Sequence, residues 1–259
     1  MANAFDLVIR NGTIFDGTGG APLKADVAVA GCTVVAVGRA AARGRMVSEF
    51  ECMFQLGDPP DCEPDSETSI AAPARRPGVS PEALAYDLLL ERDGRALLYS
   101  TFADYAYRSP ESSLAMMKHE DAVLGLGDGG AHCGTICDGS APTFMLTHWA
   151  RDRARGERLP LPWIVKALCR DTALTVGLHD RGLIAPGYKA DLNFTDLDRA
   201  RPHAPEVVYD LPTGGRRLVQ RADGYVATIV SGTIVQRDDT PTGVLPGRLV
   251  HGPQPATAQ

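Results

Sequence analysis

Tyr225-Val-Ala-Thr-Ile-Val-Ser-Gly-Thr-Ile-Val235 is the clearest structural signal in the chain, because two β-branched runs flank a Ser-Gly turn and predict a β-hairpin. Residues 190–196 predict a strand just before it. At the other end, residues 7–15 carry Asn11-Gly12, a strong hairpin signal, and residues 25–37 predict another pair of strands. Both ends of the chain are therefore predicted to be β-structure.

The middle of the chain alternates helical and strand-like patterns. Ser80 followed by Pro and Glu is a typical helix start. Helices are predicted at residues 80–91, 110–119, 142–150 and 162–176. Residues 122–127 predict a buried strand that ends at Asp128, and residues 57–65, rich in Pro and acids, predict a loop. The order β, mixed α/β, β predicts an α/β protein.

Composition limits the classes of function. With 259 residues, 44 % of them hydrophobic, the chain can bury one large or two modest cores. A formal charge of −6 argues against nucleic acid as a partner, because phosphates would be repelled. No apolar run approaches the roughly 18 residues of a membrane span, and residues 1–10 lack a signal-peptide core. We therefore expect no membrane association and a cytoplasmic location.

Five stretches together resemble the amidohydrolases. Arg181-Gly-Leu-Ile-Ala-Pro-Gly-Tyr-Lys-Ala-Asp-Leu192 and residues 6–19 are similar to segments of many members of that superfamily. Residues 54–60, 124–132 and 211–215 resemble its N-acyl-D-amino-acid deacylase (D-aminoacylase) branch. The resemblance implies a TIM-like (β/α) barrel with a small β domain. It also implies zinc, which would activate water to hydrolyse the non-peptide C–N bond of an N-acyl-D-amino acid, the expected small-molecule partner.

The resemblance also implies one site residue, Asp128, which matches the aspartate that receives the proton of the zinc-activated water. His132 follows four residues later and is a suitable ligand by type, so Asp128 and His132 are the candidate metal ligands. Cys133 and Cys137 are further donors of suitable type, although their spacing is not that of a standard zinc site. The alternative interpretation makes Asp128 the cap of a Gly-rich turn and the other three polar loop residues.

The chain departs from the family in its histidines and its length. The family carries a His-x-His pair soon after the opening hairpins, whereas this sequence has no histidine before His119. We expect residues 1–38 and 186–259 to form a composite β-sandwich domain, leaving residues 39–185 for the barrel. Because a complete barrel takes about 250 residues, this segment predicts a truncated, incomplete one.

Three hypotheses follow for the function. The first is an amidohydrolase-type hydrolase that is impaired because the His-x-His ligands are absent. The second is a non-catalytic remnant or interaction module that self-associates through exposed barrel edges. The third is an internally deleted gene product, suggested by the loss of pattern at residues 39–53.

Two further features have ordinary structural interpretations. His148 lies on a partly apolar helix face with Phe144 and Trp149, which is typical of a packed histidine. The run Arg151-Asp-Arg-Ala-Arg-Gly-Glu-Arg158 alternates in charge and predicts a solvated face or loop, with a clamp for a substrate carboxylate as the alternative.

Overall fold

The computed structural model describes residues 7–14, 23–30, 33–38, 49–73, 78–101, 105, 108–125, 127 and 139–256. Within these residues the chain is mixed α/β, with short strands at both ends and most of the helices between them. No described helix is long and apolar enough to cross a membrane.

The N-terminal strands form one antiparallel sheet. The strands β1 (Leu7–Ile14), β2 (Leu23–Ala30) and β3 (Thr33–Gly38) pair in the order β1-β2-β3. The strands predicted over residues 25–37 are thus confirmed. The hairpin turn predicted at Asn11-Gly12 is wrong, since β1 continues through these residues. A register shift between Ile9 and Gly12 absorbs them as a bulge, which locally bends a strand without reversing it.

The next segment contains short elements and one longer helix. In chain order they are a 3₁₀ turn (Glu49–Glu51), β4 (Met53–Gln55), a second 3₁₀ turn (Ser66–Thr68), α1 (Pro81–Gly94), β5 (Leu98–Ser100) and α2 (Glu111–Met117). The strands β4 and β5 pair antiparallel, with Met53 opposite Ser100. Helix α1 starts as predicted, because the side chain of Ser80 accepts a hydrogen bond from the N–H of Ala83.

The strand predicted at residues 122–127 is wrong for the part that the structure describes. Residues 122–125 have no regular secondary structure, and Val123 is 46 % exposed. An apolar strand of a barrel is stabilised by parallel neighbours on both sides, and every strand pair among the described residues is antiparallel. The barrel is therefore not confirmed.

Two helical rods contribute five buried apolar side chains, among them three members of the main core cluster. The first is α3 (Ala141–Phe144), which continues as a π-helical segment (Met145–Asp152). The second is α4 (Leu161–Val165), which continues through a π-helical segment (Lys166–Asp171) into α5 (Thr172–Thr175). Both confirm predicted helices. Their core cluster consists of Leu114, Met145, Trp149, Leu159 and Ile164.

The C-terminal part is β-structure, as predicted. Its strands are β6 (Leu192–Thr195), β7 (Arg201–Pro202), β8 (Glu206–Val208), β9 (Arg217–Val219), β10 (Ala222–Asp223), β11 (Tyr225–Val230), β12 (Thr233–Arg237) and β13 (Thr240–Pro241). Four of them form a sheet in the order β13-β12-β11-β6. The hairpin β11–β12 turns at Ser231 and Gly232, whose φ angles of 49° and 79° suit a tight hairpin turn.

The N-terminal sheet and the four-stranded C-terminal sheet are separate hydrogen-bonded units in the described part of the chain. The composite β-sandwich and its boundaries at residues 38 and 186 remain predictions.

Candidate functional site

A cleft of about 600 Å³ is the main concave feature of the site region. Three segments line it: the loop at residues 59–65, the helical rod at residues 144–155 and the turn at residues 198–202. The loop was predicted from its Pro and acidic residues, and residues 57–65 indeed contain no helix or strand. Because helix, loop and turn meet here, side chains far apart in the sequence come together.

Arg153 is the buried centre of this region, with a side chain that is 0 % exposed. Its Nε donates to Oε2 of Glu63 at 3.1 Å, and its Nη2 donates to Oε1 of Glu111 at 2.6 Å. Its Nη1 donates to the carbonyl of Glu157 at 2.8 Å, and the guanidinium lies over the ring of Trp149 at 4.6 Å. Burial lowers the pKa of Arg153, but the hydrogen bonds with Glu63 and Glu111 outweigh it, so the pKa is raised.

The close approach of Arg153 and Glu111 requires glycine at position 156. Gly156 has a φ of 121°, which side chains rarely adopt, and a Cβ there would lie 2.7 Å from Nη2 of Arg153 and would also collide with Glu111. The run at residues 151–158 was predicted to be a solvated face. For Arg153 that prediction is wrong, because carboxylates from two distant segments satisfy its charge.

Arg151 fastens the helical rod to the turn on the other side of the cleft. Its Nε and Nη2 both donate to the carboxylate of Asp152. Its Nη1 donates to the carbonyl of Leu197, and its Nη2 donates to the carbonyl of Ala200 at 2.9 Å. The hydrogen bond with Asp152 raises the pKa of Arg151, against a smaller opposing effect of burial. Arg151 is thus engaged within the protein and positions the residues at 198–202.

Arg155 and Arg199 differ from Arg151 and Arg153, because they offer unused donors to the cleft. Nη2 of Arg155 donates to the hydroxyl of Tyr105 and to the carbonyls of Glu63 and Pro64. Its other guanidinium nitrogens have no hydrogen-bond acceptor among the described residues. The guanidinium of Arg199 likewise has none there, and both side chains are exposed and line the cleft.

His148 lies on the helical wall of the cleft, where Phe144 stacks on its ring with centroids 4.7 Å apart. Its Nε2 is 3.3 Å from Oε2 of Glu63, yet this buried nitrogen has no properly directed hydrogen bond within the described structure. Burial lowers the pKa of His148; Glu63 raises it and Arg153 lowers it further, with a net decrease. The predicted packing role of His148 is confirmed, whereas its position at the cleft was not predicted.

A second histidine, His203, lies near the rim. Its Nε2 is 2.9 Å from Oδ1 of Asp223, and its Nδ1 is 3.7 Å from Oδ1 of Asp58. The hydrogen bond from His203, together with one from Arg201, holds the pKa of Asp223 below its usual range although burial opposes this. His203 therefore links the loop that begins at residue 57 to the paired strands β7 and β10.

The residues expected to carry the metal chemistry lie outside the described part of the chain. These are Asp128, His132, Cys133 and Cys137. Among the residues that the structure does describe, no group of three or more His, Cys, Asp or Glu is arranged to hold a metal ion. In particular, Oε2 of Glu63 is already bonded to Arg153. The described residues thus do not fit a zinc centre.

The residues that form the cleft were largely missed from the sequence. Glu63 lies in the segment that was predicted to be a loop, Arg155 lies in the run that was predicted to be a solvated face, and Arg199 was not singled out. A usable signal was the density of arginines at residues 151–158 around a single glycine, for which a carboxylate clamp was the alternative interpretation.

Comparison with known proteins supports the resemblance to the amidohydrolases in general. The sequence profile of the amidohydrolase family matches residues 68–236, well over half of the chain, and this range includes the helical rods, the turn at 198–202 and the hairpin β11–β12. No match was found among the curated proteins or among the solved structures. The profile match nevertheless covers most of the folded middle and C-terminal parts, and on that evidence this chain belongs to the amidohydrolase family.

Proposed function

We propose that the cleft binds N-acyl amino acids and that the reaction associated with this chain is hydrolysis of their amide bond, with N-acyl-D-amino acids as the preferred class. The observation that carries the proposal is that two exposed arginines, Arg155 and Arg199, line the cleft and keep guanidinium donors unused among the described residues. Membership of the amidohydrolase family supports a hydrolase in general.

Such a ligand has a carboxylate and an acyl group, and the cleft lining contains side chains suited to each. A guanidinium fork is the side chain best suited to a carboxylate, because it donates two parallel hydrogen bonds to it. Phe144, which is half-buried, also lines the cleft and offers an apolar surface to an acyl chain. A volume of about 600 Å³ accommodates a ligand of this size.

We further propose that hydrolysis by this chain is slow. In the deacylases that the sequence resembles, a His-x-His pair precedes the barrel segments, whereas the first histidine here is His119. Asp128, the residue matched to the family's proton acceptor, would then work with an incomplete ligand set.

The test for binding uses N-acetyl-D-leucine, its L enantiomer and N-acetyl-D-leucinamide, which lacks the carboxylate, in calorimetric titrations. The expected result is that the acid binds more tightly than the amide, and that Arg199→Gln removes most of this preference. Arg248→Gln is the matched control, since Arg248 is exposed and does not line the cleft. Equal binding of acid and amide by the wild-type chain would contradict the proposal.

The test for catalysis measures release of free leucine from both enantiomers, with and without added zinc. Elemental analysis of the wild-type chain and of Asp128→Ala and His132→Ala accompanies it. We expect release close to background. Rapid release from the D enantiomer that depends on zinc and on Asp128 would contradict the proposed impairment and would establish the deacylase activity.

A second candidate is a self-associating module without catalysis. The observation that favours it is the two-stranded sheet β8–β9: Val207 in β8 is 42 % exposed, and Tyr209, just after β8, is 70 % exposed. Short strands with free edges and exposed apolar side chains favour pairing with another chain. Light scattering coupled to size-exclusion chromatography decides this: a monomer at all concentrations rules it out, and a dimer that Tyr209→Lys dissociates supports it.

A further inference from the structure

The imidazole of His148 is held in one orientation at the wall of the cleft. Phe144 stacks on one of its faces with the two rings 12° from parallel, and the ring of Trp149 meets it edge-on at 5.5 Å between centroids. Its side chain is 15 % exposed, and the residue lines the cleft. A ring clamped in this way presents one fixed edge to a bound ligand.

The two nitrogens of this ring have different surroundings. Nε2 is fully buried and lies 3.3 Å from Oε2 of Glu63. A carboxylate at this distance favours the tautomer that carries its proton on Nε2, because the lone pair of a bare nitrogen would face a negative charge. Nδ1 is then the unprotonated nitrogen, with a lone pair that accepts a hydrogen bond.

The surroundings of His148 favour the neutral form of the ring near pH 7. Burial is the largest influence and lowers its pKa. Glu63, Asp61 and Asp152 act in the opposite direction, while the buried Arg153 adds to the decrease. A neutral ring accepts a hydrogen bond at its bare nitrogen, whereas a protonated ring donates from both.

We propose that Nδ1 of His148 accepts a hydrogen bond from the amide N–H of an N-acyl amino acid whose carboxylate is bound by Arg199 and Arg155. This inference rests on the ligand class of the proposed function and adds the residue that recognises the amide. Carboxylate, amide N–H and acyl group are the three polar and apolar features of such a ligand. The two arginines, His148 and Phe144 supply one complementary group for each feature.

The orientation of Glu63 explains why the site is organised before a ligand arrives. Arg153 holds Glu63 in place, and the distance between Nε2 and Oε2 is already that of a hydrogen bond while its direction is not. Hydrogen bonds of functional groups are commonly misaligned in the free protein and tighten in the complex.

The experiment compares N-acetyl-D-leucine with N-acetyl-N-methyl-D-leucine, in which a methyl group replaces the amide proton, by calorimetric titration of the full chain. The wild-type protein is expected to prefer the N–H ligand by about two- to tenfold, the value of one net hydrogen bond. His148→Phe keeps the stacking surface and is expected to bind both ligands equally. His251→Phe, which changes an exposed histidine away from the cleft, is expected to retain the preference.

A second measurement uses the protonation of the ring. The preference of the wild-type protein for the N–H ligand is expected to disappear when the pH falls below the pKa of His148, measured by NMR titration of its ring protons. The near-ultraviolet circular dichroism of His148→Phe checks that this variant is folded, and His148→Gln, whose side-chain carbonyl is also an acceptor, is expected to restore part of the preference.

The inference is overturned if the wild-type protein binds the two ligands equally, if it binds neither at millimolar concentration, or if folded His148→Phe keeps the preference. A His148-dependent preference with release of leucine close to background supports the inference and agrees with the proposed slow hydrolysis. Rapid release of leucine with no such preference contradicts the inference and the proposed impairment, and it leaves the hydrolase assignment standing.

Discussion

The side chain of Glu63 is 5 % exposed and accepts hydrogen bonds from Arg153, whose guanidinium group is fully buried. Removing a charge from water costs several kcal/mol, and a partner carboxylate with good geometry offsets this cost. We therefore regard Glu63 as the residue on which the buried arginine depends most, since its other carboxylate partner, Glu111, is 55 % exposed.

Glu63→Gln is expected to reduce the free energy of unfolding by about 3 kcal/mol, because it leaves the buried charge of Arg153 poorly compensated. Urea denaturation followed by circular dichroism measures the change. Glu111→Gln is the matched control, with an expected loss of under about 1 kcal/mol because water screens this pair. Equal losses for the two variants would contradict the central role of Glu63.

Gly156 is the second residue on which this cluster depends. Gly156→Ala is expected to cost about 2–3 kcal/mol, since it combines backbone strain at a φ of 121° with a collision against Arg153 and Glu111. Gly243→Ala is the control: its φ is 79° and a Cβ there meets nothing within 4 Å, so strain alone, about 1 kcal/mol, remains. Thermal unfolding of both variants measures the difference, and equal shifts would show that the collision is relieved.

At the scale of elements, the rod formed by α3 and its π-helical continuation supplies one wall of the cleft. Met145, Thr147 and Trp149 are buried in the rod. His148 and Arg151 face the cleft from the same rod. π-Helical segments are uncommon and occur frequently at functional sites, where they change which side chains share a face. The rod therefore contributes buried side chains to the core and polar side chains to the cleft.

The start of α1 gives a test of local capping. Ser80 accepts a hydrogen bond from the N–H of Ala83 and donates one to Glu82, which lowers the pKa of that carboxyl. Ser80→Ala is expected to reduce the free energy of unfolding by about 0.5–1 kcal/mol. Ser112→Ala, an exposed position inside α2, is expected to be neutral or slightly stabilising. Chemical denaturation compares the two, and a neutral Ser80→Ala would show that the cap contributes little.

At the scale of the whole molecule, three segments distant in sequence are fastened around the cleft. Arg153 connects the loop at residues 59–65 to the helical rod, Arg151 connects the rod to the turn at 198–202, and His203 connects that region back to Asp58. The ring of connections makes the stability of the fold and the geometry of the cleft depend on the same charges.

The stability of the chain is expected to depend on pH through His148. Its pKa is lowered in the folded state, so between that value and the ordinary value of about 6.5 the unfolded chain binds more protons. The free energy of unfolding contributed by the neutral ring is complete above about pH 6.5 and is lost as the pH falls through the folded pKa, by at most about 1.4 kcal/mol per pH unit.

The measurement is urea denaturation of the wild-type chain and of His148→Phe across this range. The wild-type protein is expected to lose more stability than the variant on acidification. Parallel pH profiles for the two proteins would show that His148 does not titrate differently on folding. Carboxylates such as Asp223 titrate in both proteins, so the comparison isolates the histidine.

The sequence by itself determined the elements whose signals are local. The cap at Ser80, the Ser231-Gly232 hairpin and the two helical rods depend on φ/ψ preferences and on apolar periodicity within a few residues, and the structure confirms them. The resemblance was sufficient for the amidohydrolase family. Local signals gave a wrong prediction where pairing with another strand determines the backbone conformation. Asn11-Gly12 forms a bulge and not a turn, because β2 pairs with β1 on both sides of it.

Only the tertiary structure decided which charges are buried and which residues share the cleft. Nothing within the run at 151–158 distinguishes Arg153 from Arg155, yet one is fully buried and the other faces the cleft. The difference arises from Glu63, some 90 positions away, because electrostatic compensation depends on distance in space. Glu63 also lies 3.3 Å from Nε2 of His148, a contact that no spacing in the sequence encodes.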